Sequence, residues 1–149
     1  MGQKTILLTD DEQVFLEPLA DALTSMGHRV LTARTAAEAL TILSRTHVDL
    51  ATIDVMMPAG ADYEGTVSSQ LAGVFLCREV RRRYPQLDLF CISVVSDRDT
   101  IREIESHNVG FIRKGETPLR TVLAMINSRL TGLAYSTDQG KRRDRDTDR

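Results

Sequence analysis

Asp54 is a carboxylate at the end of an apolar run, Val48-Asp49-Leu50-Ala51-Thr52-Ile53, and it leads into Val55-Met56-Met57-Pro58. Three other polar signals stand at the ends of short apolar runs. Asp10-Asp11 follow Thr5-Ile6-Leu7-Leu8-Thr9, Ser93 lies near the end of Leu87 to Val95, and Lys114 follows Val109 to Arg113. Carboxylates crowded together repel one another, and burial makes the repulsion worse. A hard divalent cation relieves it, because Mg²⁺ takes a few carboxylate oxygens together with waters and phosphate oxygens. Asp11 and Asp54 suit direct coordination and Asp10 coordination through water, with the backbone carbonyl of Met56 as a further ligand. A carboxylate beside such an ion can attack phosphorus and form an aspartyl-phosphate. In that chemistry Asp54 is the phosphoacceptor, Lys114 and the metal offset charge on the phosphoryl oxygens, and Ser93 hydrogen-bonds one of them.

These groups meet only if their runs are neighbouring strands with their carboxyl ends on one rim, where ligands collect in open parallel α/β sheets. The chain supplies such a pattern. Thr5 to Thr9 is a strand, and Gln13 to Met26 carries Val14, Phe15, Leu19, Ala22, Leu23 and Met26 at helical spacing. Pro18 fits this helix if it begins near Val14 and otherwise kinks its first turns, and Gly27 stops it. His28 to Ala33 is a second strand. Thr35-Ala36-Ala37-Glu38 has the form of a capping box and opens a helix to Ser44. The run ending at Asp54 is the third strand. Residues 59–72 are small and polar without a sustained period, so they are expected to form a long loop, functional or mobile. Val74 to Tyr84 is a third helix, with Arg78, Arg81, Arg82 and Arg83 on its outer face as solvated charges. Leu87 to Val95 is the fourth strand, Ser96 is the expected cap of a helix reaching His107, and Val109 to Arg113 is the fifth strand. Pro118 starts a last helix that runs to about Leu133. Five strand–helix alternations imply an α/β domain with a parallel sheet covered on both faces.

Composition agrees. A chain of 149 residues, 42% hydrophobic and 27% charged, makes one domain of about 1–135 with a real core. The alternating Arg and Asp of the last residues make 136–149 a disordered charged tail. A net charge of −2 gives no reason to expect nucleic acid as the partner, and no run is long enough to span a bilayer. Cys77 and Cys91 read as buried thiols of a reducing cytoplasm. His28, His47 and His107 are scattered and are expected at the surface, and Met56-Met57 are expected to pack.

Asp10-Asp11, Asp54 followed by Met57-Pro58, Ser93, Phe111 and Lys114 together resemble the signature of two-component response-regulator receiver domains. The likeness covers about residues 4 to 133. It implies a flavodoxin-like (βα)₅ fold with sheet order 2-1-3-4-5, and phosphorylation of Asp54 by a sensor histidine kinase or phosphotransfer protein. It also implies a Mg²⁺ site at Asp10 and Asp11, Lys114 as phosphate partner, Ser93 as switch hydroxyl and Phe111 as switch aromatic. Output would pass from the fourth helix and fifth strand to a downstream protein target of a cytoplasmic phosphorelay, the chain being a monomer or weak homodimer. No effector domain follows residue 133, so output is expected through protein contacts or onward phosphotransfer. Met56 and Val95 flank the attacking water in this family, and both are apolar here, which implies slow self-dephosphorylation.

The sequence departs from the family pattern at four places. Gly115 follows Lys114 where Pro is usual, Val94 follows Ser93 where a smaller residue is common, Ser93 replaces the commoner Thr, and about ten extra residues separate Pro58 from Gly73. Two rivals stand beside the phosphoacceptor reading. One is a receiver-like docking module that works without phosphorylation. The other is a phosphohydrolase with an aspartyl nucleophile, which usually needs a second carboxylate where Met56 stands. A flavin protein fits least, since no Ser/Thr-rich phosphate loop follows the first strand.

Overall fold

The computed structural model of the chain describes residues 2–56, 60 and 72–132. The strands β1 (Thr5–Thr9), β2 (Arg29–Ala33), β3 (Leu50–Ile53), β4 (Asp88–Ser93) and β5 (Gly110–Arg113) alternate with helices α1 (Gln13–Ser25), α2 (Ala36–Arg45), α3 (Ala72–Arg83), α4 (Arg98–Ser106) and α5 (Leu119–Thr131). Every strand pairing is parallel and the sheet order is β2-β1-β3-β4-β5, the doubly wound flavodoxin-like arrangement that the resemblance implies. The expected 59–72 loop, apart from Gly60 and Ala72, and the expected 136–149 tail lie outside the described residues.

Side chains of a strand alternate between the two faces of its sheet, and here each face builds its own core. Leu7, Ala51, Leu89 and Cys91 pack with Leu40, Val80 and Ile104 of α2, α3 and α4. Ile6, Leu8, Phe90 and Ile112 pack with Leu19, Leu23, Val122 and Ile126 of α1 and α5. Both thiols are free and buried, as their surroundings in the sequence imply.

The helix ends follow local chemistry. Thr35 Oγ1 accepts the Glu38 N–H at 3.1 Å, and Glu38 reaches back to the Arg34 N–H at 2.9 Å, which completes the expected capping box with a shift of one residue. Gly27 adopts φ +93° after α1, a left-handed turn that suits glycine. Pro18 lies inside α1, and exposed Val14, whose carbonyl loses its donor there, can turn to water instead. Asp97 rather than Ser96 caps α4. Its carboxylate accepts from both the N–H and the hydroxyl of Thr100, which Ser96 stands one residue too early to reach.

Two expectations about surface residues fail. His28 is buried, because its N–H bonds the Leu23 carbonyl and folds the chain back against the end of α1. Arg81 is not a solvated charge. Its guanidinium donates to the carbonyls of His107, Asn108, Pro85 and Leu87 at 2.8 to 3.0 Å, tying α3 to the turns that precede β4 and β5. Neighbouring Arg82 and Arg83 pair with Glu79 on the exposed face, as expected.

Gly73 fixes the approach of α3 to the end of β3. Its N–H donates to the Val55 carbonyl at 3.0 Å, and a Cβ on it would overlap the Asp54 carbonyl oxygen and Val55 Cα. Both obstacles are backbone, which cannot swing aside as a flexible side chain does. Gly73→Ala should therefore destabilise the protein by about 1–3 kcal/mol in urea unfolding. A midpoint equal to that of the wild type would show that α3 is free to retreat from Asp54.

Candidate functional site

Three carboxylates gather at the carboxyl rim of the sheet. Asp10 and Asp11 follow β1, and Asp54 follows β3, the strand beside β1. An oxygen from each lies within 4.8 Å of the others. Asp10 and Asp54 are buried, whereas Asp11 is exposed and faces solvent. The backbone sets both buried acids: the Asp10 N–H bonds the Ala33 carbonyl, and the Asp54 N–H bonds the Thr9 carbonyl. Their inner oxygens are held by the next turn, Asp10 Oδ1 accepting from the Glu12 N–H at 2.8 Å and Asp54 Oδ1 from the Met56 N–H at 3.1 Å.

Lys114, just past β5, sends its amine into this group. Its Nζ lies 2.7 Å from Asp10 Oδ2 and 3.2 Å from Asp54 Oδ2. The amine is buried, and its backbone N–H is anchored on the Ser93 carbonyl at 2.9 Å. Residues 10, 54 and 114 are therefore brought together as the sequence implies. Burial alone would push the Lys114 amine towards its neutral form, but the hydrogen bond to Asp10 and the charges of Asp54 and Asp10 outweigh it and hold the pKa above the ordinary lysine value. Burial has the larger hand at Asp10, lifting its carboxyl to about 6 against the opposing pull of Lys114 and the Glu12 N–H.

Ser93 is fully buried at the end of β4, between the strands that carry Asp54 and Lys114. Its hydroxyl oxygen accepts the Val95 N–H at 3.3 Å. Phe111 sits on β5 paired in register with Cys91 and packs, half-buried, against the α2–α3–α4 core. Val95 packs against the same core, whereas the side chains of Met56 and Val94 are exposed, so Met56 does not pack as the sequence implies.

Two residues at the site were not singled out from the sequence. Phe15 turns its ring to the Lys114 amine, with Nζ 4.8 Å from the ring centroid, a cation–π contact. Glu12 places Oε1 3.7 Å from the same amine while its side chain stays 58% exposed. Val14, Phe15, Pro18, Gly115, Thr117 and Leu119 line an open, largely apolar concavity beside this end of the site.

A doubly wound sheet with acids on two neighbouring strand ends and a buried amine reaching them defines a class, and comparison with known proteins gives the family. Residues 6–126 match the model of the response regulator receiver domain. The chain belongs to that family. Among curated relatives, a probable transcriptional regulator, ycf27, of Cyanophora paradoxa is 34% identical over 106 residues, 70% of this chain and 40% of the relative. The sensor histidine kinase RcsC of Escherichia coli is 37% identical over 71 residues, 48% of this chain and 8% of that one. The chain thus spans well under half the length of either. Two solved structures show the same fold. A CheY-like receiver domain protein of Methanospirillum hungatei JF-1 superposes with TM-score 0.75 at 20% identity, covering 89% of this chain and 97% of that one. A response regulator of Burkholderia pseudomallei gives 0.66 at 19% identity, covering 97% and 73%. No helix among the described residues is long and apolar enough to cross a membrane.

The raised pKa of Asp10 has a definite sign in stability. A carboxyl whose folded pKa exceeds its unfolded value favours folding below about pH 3.8 and loses that contribution as pH rises through about 6. In chelator-treated protein the stability advantage of wild type over Asp10→Asn should therefore shrink between pH 4 and pH 7 by on the order of 2 kcal/mol. Parallel urea titrations across that range measure it. An advantage that grows with pH would mean that Lys114, not burial, governs this carboxyl.

Proposed function

We propose that Asp54 accepts a phosphoryl group from a sensor histidine kinase or phosphotransfer protein, in a Mg²⁺-dependent reaction, and that the phosphorylated chain signals through contacts with a downstream protein. The observation that carries this reading is the single amine of Lys114 held within 3.2 Å of both Asp10 and Asp54 inside a three-carboxylate cluster. The donor set fits a hard cation: all oxygen, two acids buried and one open to solvent, with too much negative charge to be left unbalanced. Asp11 and Asp54 would hold the ion directly, Asp10 through water and Met56 through its carbonyl. Once bound, the ion supplies charge neutralisation at the phosphoryl oxygens.

The chain's own residues do the rest. The Met56 N–H holds Asp54 Oδ1 and Lys114 holds Oδ2, so the carboxylate is fixed in orientation before a donor arrives. Lys114 then stands where negative charge develops, already charged and already desolvated. Ser93 accepts a backbone N–H, and its hydroxyl hydrogen is the group it can offer to a phosphoryl oxygen. The apolar concavity next to Phe15 offers the protein donor a contact beside the acceptor. A Burkholderia pseudomallei response regulator of the same fold carries a phosphorylated aspartic acid together with a calcium ion, which supports reading Asp54 as a phosphoacceptor beside a divalent cation. Ser93 and Phe111 would report phosphorylation by a population shift towards a state read at α4 and β5. The chain assists only its own phosphorylation and dephosphorylation.

Incubation with a small phosphodonor and Mg²⁺ should add one acid-labile phosphate to the wild type, seen as a single mass increment, and none to Asp54→Asn. Equal labelling of both proteins would remove Asp54 from the role. Slow loss of that phosphate is also expected, because exposed Met56 and half-buried Val95 give an attacking water no polar partner. Met56→Asn supplies one and should shorten the phosphate lifetime by roughly tenfold, the effect of about 1.4 kcal/mol on a barrier. An unchanged lifetime would show that water is oriented by other groups.

A further inference from the structure

Among the described residues of the site, Glu12 carries a charge that neither the sequence motifs nor the phosphoacceptor scheme uses. Resting on the phosphoryl-transfer reading above, we infer that Glu12 is a specificity-determining residue that selects against free dianionic phosphodonors. Among the described residues around the Lys114 amine, Asp10 and Asp54 are buried, the Phe15 ring is half-buried, and Glu12 is largely solvent-exposed. It stands on the solvent side of that amine. Glu12 and Asp54 both approach the same nitrogen, at 3.7 and 3.2 Å, so their oxygens are no farther apart than those two distances combined. That is inside the screening length of about 8 Å at physiological salt, so an incoming donor feels the Glu12 charge.

The charge balance makes this residue decisive. Among the described residues, Asp10, Asp11 and Asp54 against Lys114 and one divalent ion would sum to zero, and Glu12 would tip that balance to net negative. An acyl phosphate arrives as a dianion, and its P–O bond to the acyl oxygen breaks as Asp54 Oδ bonds phosphorus, the carboxylate leaving with the electron pair. Phosphoramidate arrives as a zwitterion of lower net charge; its P–N bond breaks and ammonia leaves with the proton already on nitrogen. The first donor is repelled more strongly than the second. A phosphohistidine presented by a docked protein compensates for the repulsion with contact area, so Glu12 favours the protein route.

The test measures phosphorylation rate constants at saturating Mg²⁺ with acetyl phosphate and with phosphoramidate, for wild type, Glu12→Gln and Glu12→Asp, at low and high ionic strength. Calorimetry gives Mg²⁺ affinity for each. Glu12→Gln should raise the acetyl phosphate rate about threefold at low salt and the phosphoramidate rate clearly less, the gain fading at high salt. Its Mg²⁺ affinity should fall about twofold over the same substitution, opposite in direction to the rate. Glu12→Asp should keep the wild-type donor ratio. A donor ratio unchanged in Glu12→Gln overturns the inference, as does a loss of rate with both donors alongside weaker Mg²⁺ binding, the mark of a structural role. Phosphate that also appears on Asp54→Asn defeats the phosphoacceptor reading itself, whereas Asp54-dependent labelling with an unchanged ratio defeats only Glu12.

Discussion

One buried ammonium organises the rim of this sheet. Asp10 and Asp54 are both taken out of water, and two such charges side by side without a cation would be too costly to keep ionised. Lys114 answers both, and the sheet order shows what that demands. The residue stands just past β5, while its partners stand at the ends of β3 and β1, so its side chain crosses the end of β4. Adjacent strands lie about 4.8 Å apart, and only a long, unbranched side chain covers that span. The β4 position it crosses is a small one, Ser93, whose carbonyl also fixes the backbone of Lys114. Phe15 closes the flank with its ring. Removing the amine alone would leave two buried carboxylates facing each other, a far larger loss than that of an exposed ion pair.

The rest of the fold serves this rim by holding the strand ends in register. Two hydrophobic cores clamp the sheet from both faces, so Asp10, Asp54 and Lys114 are carried on a platform whose strands cannot slip without exposing Leu, Ile and Val side chains. Turn chemistry then aims each group. Asp10 and Asp54 use the same device, a carboxylate oxygen accepting the N–H two residues ahead. That bond leaves the second oxygen of each acid turned to Lys114. Arg81 works at the far ends of α3 and α4, satisfying carbonyls that an apolar side chain would leave without a donor.

The elements and the acids were legible because their signals are local. Apolar runs of four to eight residues ended in Asp, Ser or Lys, and helical spacing separated them, so both the α/β class and the convergence at one rim could be read before any contact was known. What escaped was non-local. Phe15 counts as a core residue by its spacing, and nothing within α1 reveals that the amine of a residue about a hundred positions later meets its ring. Arg81 is chemically identical to Arg82 and Arg83, and only the return of β5 beside β4 gives it carbonyls to hold. His28 shows no apolar neighbour pattern that would mark it as buried. Ser96 and Asp97 compete for one cap, and a shift of one residue decided between them. Glu12 carries no local mark of its place at the site, since an acid after Asp10-Asp11 at the start of α1 is ordinary helix-start chemistry and its backbone is indeed the N-cap.

The partition of Lys114 also bears on how such a site would switch. A bound group moves an equilibrium only by the difference between its interactions in the two states. Before reaction the amine divides itself between Asp10 and Asp54, with Glu12 outside. Bonding phosphorus to an oxygen of Asp54 removes that carboxylate's own charge and places more charge one bond further out, so the amine's best position moves towards solvent. Its backbone cannot follow freely, since the Lys114 N–H is tied to the Ser93 carbonyl and the Thr117 N–H to the Arg113 carbonyl. The adjustment must then be absorbed by the lysine stem, by the Gly115 turn at φ +84°, or by β4 through Ser93. Glycine at 115 makes the turn the softest of the three, because it tolerates backbone angles that other residues resist. On the phosphoacceptor reading, a chain built this way would relax at the β5–α5 turn first and would pass to α4 and β5 only the part of the displacement carried by Ser93.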